Sequence, residues 1–283
     1  MNMPTWKIGS IAAEKAIEKS GISKDEIDLI ICTTVTPDTL IPSTACYIQK
    51  ELDMCGCMAF DINCACSGFV YAMDMAHKYL SSGSVRNVLV VSAEELSKVT
   101  NYTDRASCIL FGDGAAAAVV SPSDTQFDSF LGADGSGADF LRATSVHTVP
   151  NPFFKIKGVE PEIDPEDVGY LGQDGKEVYK FAVSMMPQAV KNVLDKAGLT
   201  VNDVDRIIPH QANIRIIQTA ASNLGVDMDK FYVNIEKYGN TSSASIPIAL
   251  TEAIENGAVK RGDRLVLVGF GAGLTYGAVC LEY

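Results

Sequence analysis

The chain has 283 residues, 47% of them hydrophobic and 20% charged, and a formal net charge of −12 with no Lys/Arg cluster. That balance suits a soluble globular protein of one or two domains and argues against nucleic acid as a partner. The longest apolar run, around LVLVGFGAGL, is well short of the ~20 residues of a membrane span, and MNMPTWKIGS lacks the layout of a secretory leader, so a cytoplasmic location off the membrane is expected.

The first predicted element is a helix over 10–20, apolar at three-to-four spacing and stopped by Gly21. DLIICTT is a short β-rich apolar run, the pattern of a strand covered on both faces. A helix around 42–53 is entered through Pro42. Strand CMAFDI, a helix over 67–82 and strand NVLVVSAE follow, and FGDGAAAAVVSP is a turn running into a strand. DSFLGADGSGADFLRAT reads as strand and turn. Then come helix 178–197, strand RIIPH, helix 211–224, strand FYVNI, helix 243–257 and a terminal hairpin RLVLVGF/TYGAVCLEY.

This order repeats itself. AAEKAIEKSGISKDEIDLII at 12–31 matches AVKNVLDKAGLTVNDVDRII at 189–208, an offset of 198 − 21 = 177. The same offset carries NVLVV (87–91) onto RLVLV (264–268) and Cys66 onto Ser243, and the register is expected to hold across that span without a gap. Two duplicated halves of alternating strand and helix, 1–120 and 121–283, imply an α/β protein stacked as a layered αβαβα sandwich. Residue 1 falls on 178, so residues 121–177 have no counterpart ahead of the first half. The expectation is a first half without its opening strand and a sheet with an unpaired edge.

Eight cysteines at 32, 46, 55, 57, 64, 66, 108 and 280 do not form the dense framework of a small secreted domain. Most sit in apolar surroundings and read as small buried hydrophobes. Two CxC pairs, 55–57 and 64–66, lack usual zinc or redox spacing. Cys66 stands apart because it lies where a strand gives way to a helix, where backbone N–H groups and the helix dipole favour a thiolate. Cys64 is expected to be packing. Of three histidines, His77 is mid-helix and His147 is in a polar loop, whereas His210 ends a strand in DRIIPHQAN, where α/β ligand sites gather. Asn240 in KYGNTSSASIP is equivalent to Asn63, and its plain structural reading is a helix N-cap. A Cys with His and Asn elsewhere in the chain is the layout of an activated thiol.

The segments FDINCACSGF, PHQANIRI and YGNTSSAS, in that order, resemble the Cys, His and Asn motifs of β-ketoacyl-acyl-carrier-protein synthase III, the initiating condensing enzyme of bacterial fatty-acid synthesis. TDRASCILFGDGAAAAVV and GFGAGLTYG also look like family segments, and the similarity spans essentially the whole chain. The resemblance implies a thiolase-like fold, a Cys66–His210–Asn240 triad and a homodimer. It implies condensation of an acyl-CoA primer with malonyl-acyl-carrier protein through an acyl-Cys66 intermediate. Coenzyme A thioester is then a substrate, and no metal or redox cofactor is required. Arg105 and Arg215 match family arginines near the coenzyme A and carrier-protein mouth, and Phe270 matches an aromatic beside the nucleophile. The Cys66 amide and an amide of the Gly271–Ala272–Gly273 turn form the natural oxyanion pair.

Three features depart from the family pattern. The N-terminal segment that carries the first strand in the family is expected to be lacking. Gly175-Lys176 stands where the family often has Gly-Asn near the pantetheine. Ile41 stands where many relatives carry a Phe lining the partner's acyl pocket. Two alternatives remain: a truncated, catalytically impaired homologue that binds acyl thioesters, and a polyketide-type or hydroxymethylglutaryl-CoA-type synthase, which shares Cys-His-Asn.

Overall fold

The structure, a computed structural model, describes residues 3–105, 107–143 and 169–283. Helix α1 (Thr5–Ser20) ends at Gly21, whose φ of 70° is the left-handed stop. Strand β1 (Leu29–Thr33) leads to α2 (Thr44–Glu51), capped by Ser43 and met at its N-terminus by the Asp61 carboxylate, which accepts from Thr44 N (2.6 Å) and Ala45 N (2.8 Å). Then come β2 (Met58–Ile62), α3 (Gly68–Ser81), β3 (Val88–Glu95) and β4 (Asp113–Val120). Strand β5 (Phe127–Ala133) precedes β6 (Leu141–Ala143) and β7 (Leu171–Gln173), which pair antiparallel. Helix α4 (Gly175–Ala197) begins on Asp174, which caps Lys176 N and Glu177 N, and ends on left-handed Gly198. Last are β8 (Arg206–Pro209), α5 (Ile214–Leu224), α6 (Ile235–Tyr238), α7 (Ser245–Glu255), β9 (Arg264–Gly271) and β10 (Thr275–Glu282).

Two four-stranded sheets result, ordered β2-β1-β3-β4 and β5-β10-β9-β8. Their registers repeat: β1 pairs β3 with Leu29 on Val88, and β8 pairs β9 with Arg206 on Leu265, each partner moved by 177. The register breaks elsewhere. Ile30 pairs Ala59, but its counterpart Ile207 bridges Phe231 rather than residue 236. FYVNI, read as a strand, makes only that isolated bridge and then enters α6. β10 is paired on both sides, whereas β4 pairs with β3 alone among the described residues.

Side-chain alternation sorts the inner strands into layers. Leu29, Ile31, Val88 and Val90 face one core with Ile208, Leu265, Leu267 and Val279 of the other sheet, around α3 and α7. Ile30, Cys32, Leu89 and Val91 turn outward to α1 and α2. Ile207, Val266, Val268 and Cys280 turn the opposite way, to α4 and α5. The order is helix, sheet, helix, sheet, helix. Each fully buried aliphatic side chain contributes roughly 1.5–3 kcal/mol, so the two central layers of strand are held from both faces. No described helix is long and apolar enough to cross a membrane.

Candidate active site

Both halves make the same sharp turn between strand and helix. Ala65 has φ +47° and Ser242 has φ +50°, left-handed values that non-glycine residues seldom adopt. They are 177 residues apart, and each precedes a residue of the matched pair Cys66 and Ser243. An asparagine supports each turn: Asn63 Oδ1 accepts from Ala65 N (3.3 Å) and Asn240 Oδ1 from Ser242 N (2.8 Å). Small residues let the turns meet. A Cβ on Gly68 would stand 3.2 Å from Ser243 Cβ, and one on Gly269 3.1 Å from Ser67 Cα.

The halves then diverge. Cys66 lines a cavity of about 320 Å³ together with His210, Asn240, Phe270, Gly271 and Ala272, a volume within the range of small-ligand pockets. Ser243 is fully buried and donates to Glu94 Oε1 at 2.6 Å. Cys64 is not part of the cavity lining; its carbonyl oxygen accepts from the hydroxyls of Ser67 (2.7 Å) and Thr275 (3.0 Å).

His210 follows β8 directly, and its amide donates to Val268 O (2.8 Å), continuing the ladder by one residue. Its Nδ1 is 2.6 Å from Ser245 Oγ, and its ring meets Phe270 edge-on at 5.2 Å. Gln211, buried beside it, fixes the loop with bonds from its Nε2 to Pro209 O (2.8 Å) and Tyr232 O (3.1 Å), and accepts from Asn234 N (3.1 Å). Asn240 is held by backbone bonds to Leu110 and Gly112. The plain N-cap reading of Asn240 describes its oxygen, which serves the turn. The amide NH₂ is the end left to donate into the cavity.

Burial dominates the electrostatics. It pushes the Cys66 thiol up to about 12, with the Glu94 charge adding to the rise and hydrogen bonds from Ser242 and the Cys66 amide opposing it. The helix-mouth position was expected to favour a thiolate; desolvation of the charged form outweighs it. Burial likewise lowers His210 to about 3. The resting pair is therefore a neutral thiol and a neutral imidazole. Glu94 is raised by burial, against hydrogen bonds from Ser243, Val35, Thr36 and Ser242.

The remaining sequence candidates divide. Phe270, Gly175, Gly271 and Ala272 line the cavity, while Gly273 does not. Arg105 and Arg215 are exposed and outside the lining; Arg215 sits in the first turn of α5, between the lining residues Asn213 and Ile216. Ile41 is 83% exposed and outside the lining. His77 stacks on Phe127 at the surface, and His147 lies outside the described residues. Glu94, Ser242, Ser245 and Gln211 were missed. Of these, Glu94 carried a signal: a carboxylate at the end of an apolar strand run, VLVVSAEE. Leu141, Arg142, Ala143, Leu171 and Gln173 of the paired strands β6 and β7 form another wall. Among the described residues no group of three or more His, Cys, Asp or Glu could hold a metal ion.

Residues 60–137 match the family described as 3-oxoacyl-[acyl-carrier-protein] synthase III, and residues 194–283 match that family's C-terminal part. The β-ketoacyl-[acyl-carrier-protein] synthase III of Clostridium acetobutylicum is 43% identical over 285 residues, covering 100% of this chain and 85% of the relative. That of Clostridium tetani is 46% identical over 282 residues, covering 99% and 84%. The crystal structure of the Aquifex aeolicus 3-oxoacyl-[acyl-carrier-protein] synthase III superposes with a TM-score of 0.90 at 43% identity, covering 100% of this chain and 86% of that one.

Proposed function

The chain belongs to the 3-oxoacyl-[acyl-carrier-protein] synthase III family, and from that premise we propose that Cys66, His210 and Asn240 carry its reaction. The enzyme is an acyltransferase that condenses an acyl-CoA primer with malonyl-acyl-carrier protein, giving 3-oxoacyl-acyl-carrier protein, coenzyme A and CO₂. The observation that carries the residue assignment is the convergence of these three side chains on one cavity.

In the first half-reaction Cys66 sulfur attacks the primer thioester carbonyl. The S–C bond to Cys66 forms, the bond to coenzyme A breaks, and the thiol proton leaves on the coenzyme A sulfur. The Cys66 amide and an amide of the Gly271–Gly273 turn serve the tetrahedral oxyanion, since preorganised donors act where charge develops. A thiol held at about 12 keeps the resting sulfur uncharged, and proton departure is coupled to thioester attack.

In the second half-reaction the malonyl carboxylate leaves as CO₂ and its electron pair passes to the thioester, forming an enolate. His210 and the Asn240 NH₂ donate to that oxygen. The carbanion attacks the acyl-Cys66 carbonyl, a C–C bond forms, and Cys66 is released and reprotonated. This is two-step covalent catalysis; it calls for no metal or redox cofactor.

Arg105 and Arg215, both exposed, are assigned to the approach of coenzyme A and the carrier protein, and Gly175 to the pantetheine path. The enzyme works in the cytoplasm as a homodimer; exposed Leu40, Ile41 and Ile109 supply apolar surface for a partner to cover. In that dimer Ile41 meets the partner's acyl pocket, and its size admits primers longer or more branched than acetyl. Light scattering tests the dimer, and comparing acetyl-, isobutyryl- and hexanoyl-CoA turnover tests the primer; strict acetyl preference would sink the second idea.

The assignment of the nucleophile is tested by incubation with radiolabelled acetyl-CoA and peptide mapping. Label is expected on the Cys66 peptide and absent from Cys66→Ser protein. Label elsewhere, or none with turnover intact, defeats the assignment.

A further inference from the structure

We propose that Ser245 is a positioning residue that holds His210 as the Nε2-protonated imidazole, so that the ring presents a hydrogen-bond donor to the cavity. The inference rests on the donor role given to His210 above and names what enforces it.

A neutral imidazole carries one proton, and the partner of one nitrogen decides which nitrogen bears it. Here that partner is Ser245 Oγ, 2.6 Å from Nδ1. Oγ also accepts the backbone N–H of Gln211 at 3.3 Å. Ser245 is 2% exposed, so its hydroxyl hydrogen must find an acceptor inside the protein. With a donor already aimed at the oxygen from Gln211, the hydroxyl hydrogen points at Nδ1. The opposite arrangement would bring two N–H groups to one oxygen and leave the hydroxyl hydrogen buried without an acceptor, which is unfavourable.

The surroundings keep this geometry from relaxing. The His210 amide is fixed to Val268 O at 2.8 Å, and the ring stands edge-on to Phe270. Gln211 is locked through its side chain to Pro209, Tyr232 and Asn234. Ser245 opens α7, the first residue after the 3-10 turn Ser242–Ala244 that follows Asn240. One short segment therefore orients both donors: the Ser242 amide takes the Asn240 oxygen, and the Ser245 hydroxyl takes His210 Nδ1. Each side chain is left with its donating end toward the cavity. Neither nitrogen of His210 is then free to act as a base toward Cys66, so the proton of the thiol must leave by another route.

Nitrogen-15 NMR of histidine-labelled enzyme reads the tautomer directly. The chain has three histidines, and His77→Gln and His147→Gln assign their own signals. The expected result is a resting His210 with its proton on Nε2; a proton on Nδ1 overturns the proposal in the wild-type protein, without recourse to a variant. Ser245→Ala is expected to convert the single form into a tautomer mixture. It should lower the decarboxylative step about 10²-fold, less than the ~10⁴ that an enforced wrong tautomer can cost. The loss should be concentrated in condensation rather than in acylation of Cys66, and Ser245→Thr should restore much of both signals. An unchanged tautomer in Ser245→Ala sinks the proposal. A changed tautomer with unchanged condensation upholds the positioning by Ser245 and removes the catalytic role of His210.

Discussion

Gly271 lies so close to the backbone of Cys66 that a Cβ there would stand 2.6 Å from Cys66 N. Real Cβ atoms do not approach a backbone nitrogen that closely, and neither partner is a flexible side chain. The contact joins the end of β9 to the turn carrying Cys66, and so joins the two halves at the cavity that Cys66 and Gly271 both line.

Gly271→Ala should therefore displace the Cys66 turn. Overpacking of this kind costs about 1–3 kcal/mol, so the variant should fold with a lowered denaturation midpoint. Loss of one aligned oxyanion donor should slow Cys66 acylation about 10²-fold. Burst-phase release of coenzyme A measures this, and a wild-type burst would show that the amide pair is elsewhere.

Asn240→Asp keeps an oxygen for the Ser242 amide (2.8 Å in the wild type) but removes the NH₂ donor. The turn should survive while condensation falls about 10²–10³-fold. Acetyl label should still accumulate on Cys66. Loss of labelling together with condensation would mean that Asn240 serves the first half-reaction as well.

Because burial and the Glu94 charge raise the Cys66 thiol to about 12, its thiolate fraction climbs with pH across the accessible range. Inactivation by iodoacetamide should rise close to tenfold per pH unit from about pH 6 to 9, without levelling, since the thiolate is the reacting form. Glu94→Gln removes a charge that raises the thiol, so alkylation at any fixed pH should quicken. A plateau near neutrality, or slower alkylation in Glu94→Gln, contradicts this electrostatic account.

His210 is buried and lowered from 6.5 to about 3. Its folded value lies below its unfolded value, so the unfolded state binds the extra proton first. The stabilising difference is present above about pH 6.5 and is lost as pH falls from there toward 3. At pH 5 the loss amounts to about 2 kcal/mol. Unfolding free energies from urea titration at pH 7.5 and 5 should differ less in His210→Gln than in wild type by roughly that amount; equal differences would mean that the imidazole is not buried neutral.

Much of the architecture was legible locally. Gly21 and Gly198 stop their helices because glycine pays little for a left-handed φ. LIICT and LVLVG read as strands because alternate residues face two different apolar layers, which leaves no polar alternation to confuse with a surface element. FYVNI was misread for a long-range reason. Its β character is satisfied by the single bridge of Phe231 to Ile207, after which Asn234 N turns to Gln211 and α6 begins.

The sequence by itself singled out Cys66, His210 and Asn240 as candidates and set the duplicated order of strands and helices. The order of elements follows from apolar periodicity and the 177-residue repeat, and the three candidates from the motifs that carry the family resemblance. Only the tertiary structure decided what those residues are chemically. Cys66, set where the turns of the two halves meet, has its thiol pushed up to about 12 by burial. Ser243, its counterpart in the second half, faces buried Glu94 instead of the cavity. Asn240 Oδ1 accepts from the Ser242 amide, and His210 Nδ1 meets Ser245 Oγ. Desolvation and the choice of hydrogen-bond partner depend on which distant segments pack together, and local sequence pattern holds no record of that.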